Sequence, residues 1–315
     1  MSGPVLKILK GGTQTTLQDA GRPGHRHLGI PKSGAADRLS FALSNYLVGN
    51  PWDAPALECT LGGLHIRFLK KTRIAISGAE MWAQINGMNV ESNRCVPVDA
   101  GDILTFSFAR IGCRAYIAVE GGLKGESFMG SVSTYIPAGF GGLEGRAYRA
   151  GDEIYSAELE SLGPKSLPFG YAPRMSRHIV LRARSVTEWD WLSPAAQRYM
   201  YTSPFHATAD TDRMGARLIG DKIDLVEKKD MVSSPILPGT LQIPPNGQPI
   251  LALIDGHCTG GYPRALQVIT ADLWLLGQIA PSSPISFRRC FSEDAPVILR
   301  GRNAFYEGLM PGFRF

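Results

Sequence analysis

The sequence predicts a β-rich α+β fold, and three observations carry that reading. Between Ala56 and Val119 the chain runs in short apolar or alternating stretches separated by Gly-rich turns. Its 315 residues include 36 Gly and 22 Pro, the composition of a chain that turns often. Helical periodicity is confined to a few short segments.

Taken in order, Val5 to Leu9 reads as a short strand. Residues 15–37 follow as an irregular segment in which Gly21, Gly24, Gly29 and Gly34 permit positive φ and Pro23 and Pro31 fix φ, with Gln18, Asp19, Arg22, His25, His27 and Asp37 set between them. A plain surface connection needs fewer of these residues, so the segment reads as a loop that holds a site. A helix is expected over about 36–48, where Leu39, Ala42, Leu43, Tyr46 and Leu47 form a stripe, with Gly49-Asn50-Pro51 ending it. Strands are expected at 56–61, 64–68, 73–77, 82–85, 103–108 and 114–119. One device occurs twice, at Asp99-Ala100-Gly101-Asp102 and Arg149-Ala150-Gly151-Asp152, and reads as a turn feeding a strand. Ala280 to Phe287 occupies an equivalent context without the Gly-Asp.

Residues 161–175 carry three Pro and two Gly with little periodicity, which marks a linker. The expected domains are therefore 1–165 and 170–291, followed by a tail over 292–315 whose Phe305, Tyr306, Phe313 and Phe315 pack onto the body or a partner. The second domain opens with a strand at 178–182 and a helix after Ser193-Pro194, a cap and first helical residue. A further short helix is expected from Thr270 or Ala271 to Gly277.

Charge and cysteine usage narrow the function. Thirty-three basic and 28 acidic residues give a net charge of +5, and only Lys70-Lys71, Lys228-Lys229 and Arg288-Arg289 cluster, so a nucleic-acid stripe is not indicated. Modest positive charge suits an anionic metabolite. The 5 cysteines form no CxxC pair, which fits a reducing cytoplasm. No apolar leader opens the sequence and no run approaches the roughly 20 apolar residues of a membrane span, so neither secretion nor membrane insertion is expected.

Several segments have the residue types of a binding site. The apolar run 250–254 leads into Asp255-Gly256-His257-Cys258-Thr259-Gly260-Gly261-Tyr262-Pro263, polar residues at a strand exit. Gly260 and Gly261 let backbone N–H groups approach an anion, and His257 adds a titratable imidazole. A Cys258–His257 dyad is disfavoured because neighbours on an extended strand face opposite ways. His25 and His27 lack a third ligand, so no metal site is expected. Arg213, in Asp212-Arg213-Met214-Gly215, can receive a carboxylate or phosphate through two parallel hydrogen bonds. Gln242, Asn246 and Gln248 flank Pro244-Pro245 and Pro249, which either aim amides at a small polar ligand or pack as a rigid loop. Asp37 is equally read as a helix cap or a site carboxylate. Asp19 and Arg22 are expected to pair within the loop. No P-loop, Rossmann fingerprint or Met-Lys-Met biotin-attachment sequence occurs.

Residues 15–37, with Ser33-Gly34-Ala35-Ala36-Asp37, then Phe128-Met129-Gly130-Ser131, residues 212–215, 241–249 and 255–263, together resemble the KipA-like family, also called allophanate hydrolase subunit 2 or the C subunit of 5-oxoprolinase. The resemblance runs from Thr15 to about Phe287. It implies two cyclophilin-like β-barrel domains with a few short helices. It also implies a C subunit that works with a KipI-like B subunit to activate 5-oxoproline, and with the A subunit to complete hydrolysis to glutamate, with ATP and Mg in the assembled complex and no biotin attached here. Matched onto this sequence, it gives Asp37 and Arg213 as catalytic and Ser33, Gly34, Gln242, Gln248, Thr259, Gly260 and Gly261 as substrate-binding; His257 joins the catalytic set on its own chemistry, as an acid–base imidazole. Asp212 replaces the family's Asn, and His257-Cys258 its Gln-Thr. The alternatives are the carboxyltransferase part of a biotin-dependent urea carboxylase and a non-catalytic antagonist of a KipI-like kinase inhibitor.

Overall fold

A computed structural model describes residues 3–226 and 231–315; Met1, Ser2 and the Lys228-Lys229 pair lie outside them. The described chain is mainly β and divides into two compact units. Of the described residues, the first comprises 3–22, 33–175 and 306–313, and the second 23–32, 176–226, 231–305 and 314–315.

In the first unit the elements are β1 (Leu6–Gly11), β2 (Gln14–Gln18), α1 (Arg38–Leu47), β3 (Ala56–Thr60), β4 (Leu64–Phe68), β5 (Thr72–Glu80), β6 (Gln84–Ile85), β7 (Met88–Asn89), β8 (Cys95–Val98), β9 (Ile103–Thr105), β10 (Ile111–Val119) and β11 (Glu153–Ile154). They form a six-stranded sheet in the order β11-β1-β4-β9-β6-β7 and a five-stranded sheet in the order β2-β3-β10-β5-β8. Alternation directs Leu6 and Ile8 of β1, and Leu64, Ile66 and Phe68 of β4, into one core. α1 is buried on nearly every side; its Phe41 and Leu47 pack with Ala75, Tyr116 and Ala118.

Three segments differ from expectation. Residues 15–18 are not loop but most of β2, because Thr15-Thr16-Leu17 suit a buried strand that pairs with β3 from Gln14↔Thr60 to Gln18↔Ala56. β7 and β8 are the other two, strands of two and four residues that are too short to show a period in the sequence.

The repeated turn is one structure in both places. Gly101 and Gly151 have φ of 99° and 97°, and the Asp after each accepts from the backbone N–H three residues back, at 2.8 Å for Asp99 and 2.7 Å for Arg149. β9 and β11 follow directly.

In the second unit β12 (Ile179–Ser185), α2 (Pro194–Thr202), β13 (Phe205–Ala207), β14 (Gly215–Ile219), β15 (Ser234–Pro235), β16 (Thr240–Gln242), β17 (Ile250–Ala252), β18 (Thr259–Gly260), β19 (Arg264–Val268) and β20 (Pro284–Arg289) precede α3 (Asp294–Glu307). Seven strands close a barrel in the order β12-β19-β16-β17-β14-β13-β20, while β15 and β18 pair separately. Leu181, Phe205, Leu241, Leu251, Leu266 and Phe287 fill its core. Ser193 caps α2 by accepting from Ala196 N–H, with Pro194 as first residue, and the helix expected near 270 is a 3-10 helix over Thr270–Gln278.

The tail is packed rather than loose. Ile298 and Leu299 of α3 rest on Ile269, Ala271 and Cys290 in the second unit. In the first unit Tyr306 Oη donates to Tyr171 O at 3.1 Å, and the fully buried Phe313 meets Trp52 edge-on. All five cysteines are free thiols. Among the described residues no helix is long and apolar enough to cross a membrane.

Candidate functional site

The turn at 33–37 in the first unit is held from three sides. Ser33 takes a positive φ of 53°, sparsely populated for a residue with a side chain. Gly34, at φ 88°, lies so close to the Ala20-Gly21 peptide that a Cβ there would stand 2.9 Å from Gly21 N and 3.0 Å from Ala20 C. The N–H groups that follow are engaged: Ala35 donates to Asp19 O at 3.1 Å, Ala36 to Glu58 Oε2 at 2.9 Å and Asp37 to Tyr116 Oη at 2.7 Å. Asp37 is fully buried and caps α1, its Oδ1 accepting from Ser40 N–H at 3.0 Å and its Oδ2 from Ser40 Oγ at 2.6 Å. Ser33 Oγ, by contrast, is buried without a hydrogen-bond partner among the described residues.

Asp19 and Arg22 do not pair with each other. Asp19 accepts from Ser131 Oγ at 2.6 Å, from Ser133 Oγ, and from the N–H groups of Gly21 and Val132, each at 2.8 Å. Arg22 donates to Phe128 O at 3.2 Å and to Ser133 O, with its guanidinium over the Phe140 ring. Both anchors end on residues 128–133, where Phe128 and Ser131 exchange backbone hydrogen bonds around Met129 and Gly130, both at positive φ. Acid and base are each better served by a hydrogen-bonded socket than by one another.

In the second unit the exit of β17 carries Asp255, whose carboxylate receives Arg213 Nε at 2.7 Å and Nη2 at 3.3 Å. The expected fork-on-anion geometry is thus present, with a carboxylate of the same chain as the anion. Asp212 Oδ1 accepts from Met214 and Gly215 N–H at 2.7 and 3.0 Å, a role that needs one side-chain oxygen and that an Asn fills equally. His257, Thr259 and Gly261 are exposed, and Cys258 is half-buried. The carbonyls of Ile236 and His257 accept from Arg26 Nη2, the latter at 3.4 Å, which ties the 3-10 turn Arg26–Leu28 to this segment. Gly260 pairs with Ser234, and a Cβ there would stand 2.7 Å from Gln242 Nε2 and nearer still to Ile236 Cδ1. Gln242 Nε2 reaches toward Tyr262 O at 3.5 Å. Gln248 is engaged elsewhere, exchanging two 3.2 Å hydrogen bonds with the Gly220 backbone.

The structure therefore brings Gln242 to Gly260 and ties Arg26 to His257, while Gln248 serves a neighbouring turn. Sequence reading passes over Glu58, Arg114, Tyr116, Arg26 and Asp255. A signal for the first three exists: a Glu in the apolar strand Ala56-Leu57-Glu58-Cys59-Thr60, and Arg and Tyr in an equally apolar β10, are charged or polar groups where burial demands partners. Burial, then the Glu58 and Asp37 carboxylates, push the Tyr116 hydroxyl well above its ordinary range, so it stays protonated and donates to Glu58 Oε2 at 2.8 Å. Arg26 and Asp255 act through long-range contacts that no local pattern reveals.

Among the described residues no group of three or more His, Cys, Asp or Glu could hold a metal ion, and the N–H groups leading into α1 are already bonded.

The chain thus joins a two-sheet unit and a seven-stranded barrel, each with buried polar anchors behind Gly-rich segments. Residues 28–289 match the family described as carboxyltransferase domain, subdomain A and B, and the chain belongs to that family. It is 36% identical over 310 residues to the C subunit of 5-oxoprolinase from Escherichia coli (strain K12), covering 97% of each. It is 34% identical over 302 residues to the C subunit of 5-oxoprolinase from Haemophilus influenzae, covering 96% of each. Among solved structures, the urea amidolyase of K. lactis is similar with a TM-score of 0.91 and 26% identity, over 97% of this chain and 20% of that one. The chain thus spans about a fifth of that enzyme.

Proposed function

We propose that this chain is the C subunit of an ATP-dependent 5-oxoprolinase, acting with a KipI-like B subunit to activate 5-oxoproline and with the A subunit to hydrolyse it to glutamate. The observation that carries this reading is similarity along 97% of both chains to the C subunit of a 5-oxoprolinase, which leaves no large region unmatched. ATP and Mg belong, on this reading, to the assembled cytoplasmic complex.

The chain's own contribution is to bind and orient a small polar cyclic amide. In the second unit the exposed Thr259 hydroxyl and the Gly260 and Gly261 backbone face the substrate amide, with the Gln242 amide behind Gly260. His257 is the solvent-accessible acid–base group. Arg213 acts through Asp255, holding the strand exit that carries them. Gln248 steadies the Gly220 turn of the same unit. In the first unit the 33–37 turn is assigned to substrate binding on its own account through Ser33 and Gly34, whose close approach to Ala20-Gly21 sets the turn's shape, and Asp37 fixes the helix behind it. The test is 5-oxoproline-dependent ATP hydrolysis by the purified chain with candidate A and B partners, each omitted in turn. Turnover that needs all three supports the reading; turnover without this chain overturns it.

A second reading, carboxyl transfer as in urea carboxylase, is favoured by the TM-score of 0.91 to urea amidolyase. It requires activity that excess avidin abolishes. A KipI-like partner that binds with no turnover in either assay points instead to a regulator.

A further inference from the structure

We infer that Glu58 and Tyr116 are positioning residues for the 33–37 turn, holding Ser33 in place through a buried hydrogen-bond chain; this rests on the assignment of that turn to substrate binding. Both side chains are inaccessible to solvent, in adjacent strands β3 and β10, where Tyr116 stands opposite Glu58. Glu58 Oε2 accepts from Tyr116 Oη at 2.8 Å and from Ala36 N–H at 2.9 Å, and Tyr116 Oη accepts from Asp37 N–H at 2.7 Å. Two sheet residues thus take two consecutive N–H groups of the turn. On the other side of Glu58, Arg114 Nε lies 3.4 Å from Oε1, with only 2% of its side chain exposed.

Stability alone does not call for this arrangement. Apolar residues of similar volume commonly replace buried ion pairs with no loss of stability, so a charged and hydroxylated strand interior is a poor way to fill a core. What the polar groups add is direction: each bond fixes the orientation of one peptide plane. That orientation is needed because Ser33 sits at a positive φ and its buried hydroxyl lacks a partner among the described residues. A peptide free to relax would rotate out of that state. The turn keeps that conformation only while the next peptides are held.

The experiment compares Tyr116→Phe and Glu58→Gln, each in the chain alone and in the complex with its A and B partners. Tyr116→Phe removes one oxygen and keeps the ring, whereas Glu58→Gln keeps an oxygen acceptor for both bonds. For Tyr116→Phe, amide hydrogen exchange at Ala36 and Asp37 is expected to quicken about tenfold or more relative to the last turn of α1. In the complex, its kcat for 5-oxoproline-dependent ATP hydrolysis is expected to fall about 10- to 100-fold with KM changed less than about twofold. Glu58→Gln, which keeps both acceptor bonds to the turn but takes the charge from beside Arg114, is expected to lower the melting temperature while costing much less kcat per folded complex than Tyr116→Phe. A merely structural pair would lower the melting temperature but leave kcat per folded complex unchanged. Native exchange at 36–37 in Tyr116→Phe overturns the inference, and so does fast exchange with unaltered kcat. If the wild-type complex shows no 5-oxoproline-dependent turnover, the functional reading fails separately, and the exchange result alone decides whether the pair holds the turn. Should Tyr116→Phe not fold, Tyr116→Met removes the same hydroxyl with a more adaptable side chain.

Discussion

Arg213 and Asp255 clasp each other at two points, Nε to Oδ2 at 2.7 Å and Nη2 to Oδ1 at 3.3 Å, with 7% and 2% of their side chains exposed. Asp255 N–H also donates to Arg213 O at 2.9 Å, so the segment before β14 and the exit of β17 are locked by side chain and backbone together. Arg213→Ala leaves a buried carboxylate without its guanidinium and is expected to cost about 3–5 kcal/mol of stability. Urea unfolding checks this. A loss below about 1 kcal/mol together with abolished turnover would instead make the guanidinium a direct substrate contact.

Two glycines predict opposite kinds of damage. A Cβ on Gly34 runs into the Ala20-Gly21 backbone, which cannot step aside, and its φ of 88° adds about 1–2 kcal/mol of strain for any other residue. A Cβ on Gly260 meets the ends of two side chains, Ile236 and Gln242, which can. Gly34→Ala is therefore expected to lower the melting temperature markedly. Gly260→Ala is expected to leave it nearly unchanged while moving the Gln242 amide and raising KM for 5-oxoproline. Thermal melts of the two chains beside steady-state kinetics decide it; equal melting losses would contradict the distinction.

The sequence is most legible where one local rule decides the structure. Ser193-Pro194 starts α2, Asp37 precedes α1, and Gly-Asp marks two turns, because capping and positive φ act over three or four residues. It is least legible where a residue's role depends on a distant partner. Asp19 and Arg22 are three positions apart and of opposite charge, which suggests a pair, yet the sockets that bind them lie more than 100 residues away. Arg213 reads as a fork awaiting an anion, but nothing near it in sequence announces Asp255. Glu58 inside an apolar strand is the plainest sign that pattern reading leaves unused, since a charge there must have partners.

Acid should weaken each unit through an identifiable pair. Arg146 hydrogen bonds hold the Asp152 carboxyl below its ordinary range in the first unit, and Arg264 hydrogen bonds do the same for Glu188 in the second. A carboxylate whose folded pKa is depressed adds stability above its unfolded value and loses it as pH falls through the folded one. The loss is thus expected below about pH 4, the range of unperturbed Asp and Glu. Melting temperatures followed from about pH 6 down to about pH 3, which brackets that titration, should fall less steeply in Asp152→Asn and in Glu188→Gln than in the wild type. An unchanged slope in both variants would show that these pairs do not govern the acid response.

The third turn has the geometry of the first two without their residues. Ser282 takes a φ of 65° where Gly101 and Gly151 stand, Ser282 N–H donates to Ala207 O as Gly101 donates to Phe68 O and Gly151 to Ile8 O, and Ser283 N–H returns to Ala280 O at 3.0 Å. The side-chain bond is the weaker part: Ser283 Oγ accepts from Ala280 N–H at 3.2 Å, against 2.7 and 2.8 Å for the two aspartates. A neutral hydroxyl replaces a charged acceptor, and a residue with a Cβ replaces glycine at a left-handed position. The double change Ser282→Gly with Ser283→Asp should relieve the strain and shorten the bond, for a gain of about 1 kcal/mol. That corresponds to a melting temperature raised by about 2–4 °C for a unit of this size. Ser282→Gly alone is expected to give part of the rise, limited by the extra freedom glycine brings to the unfolded chain. If the double variant melts no higher than the wild type, the likeness of the three turns does not extend to their energetics.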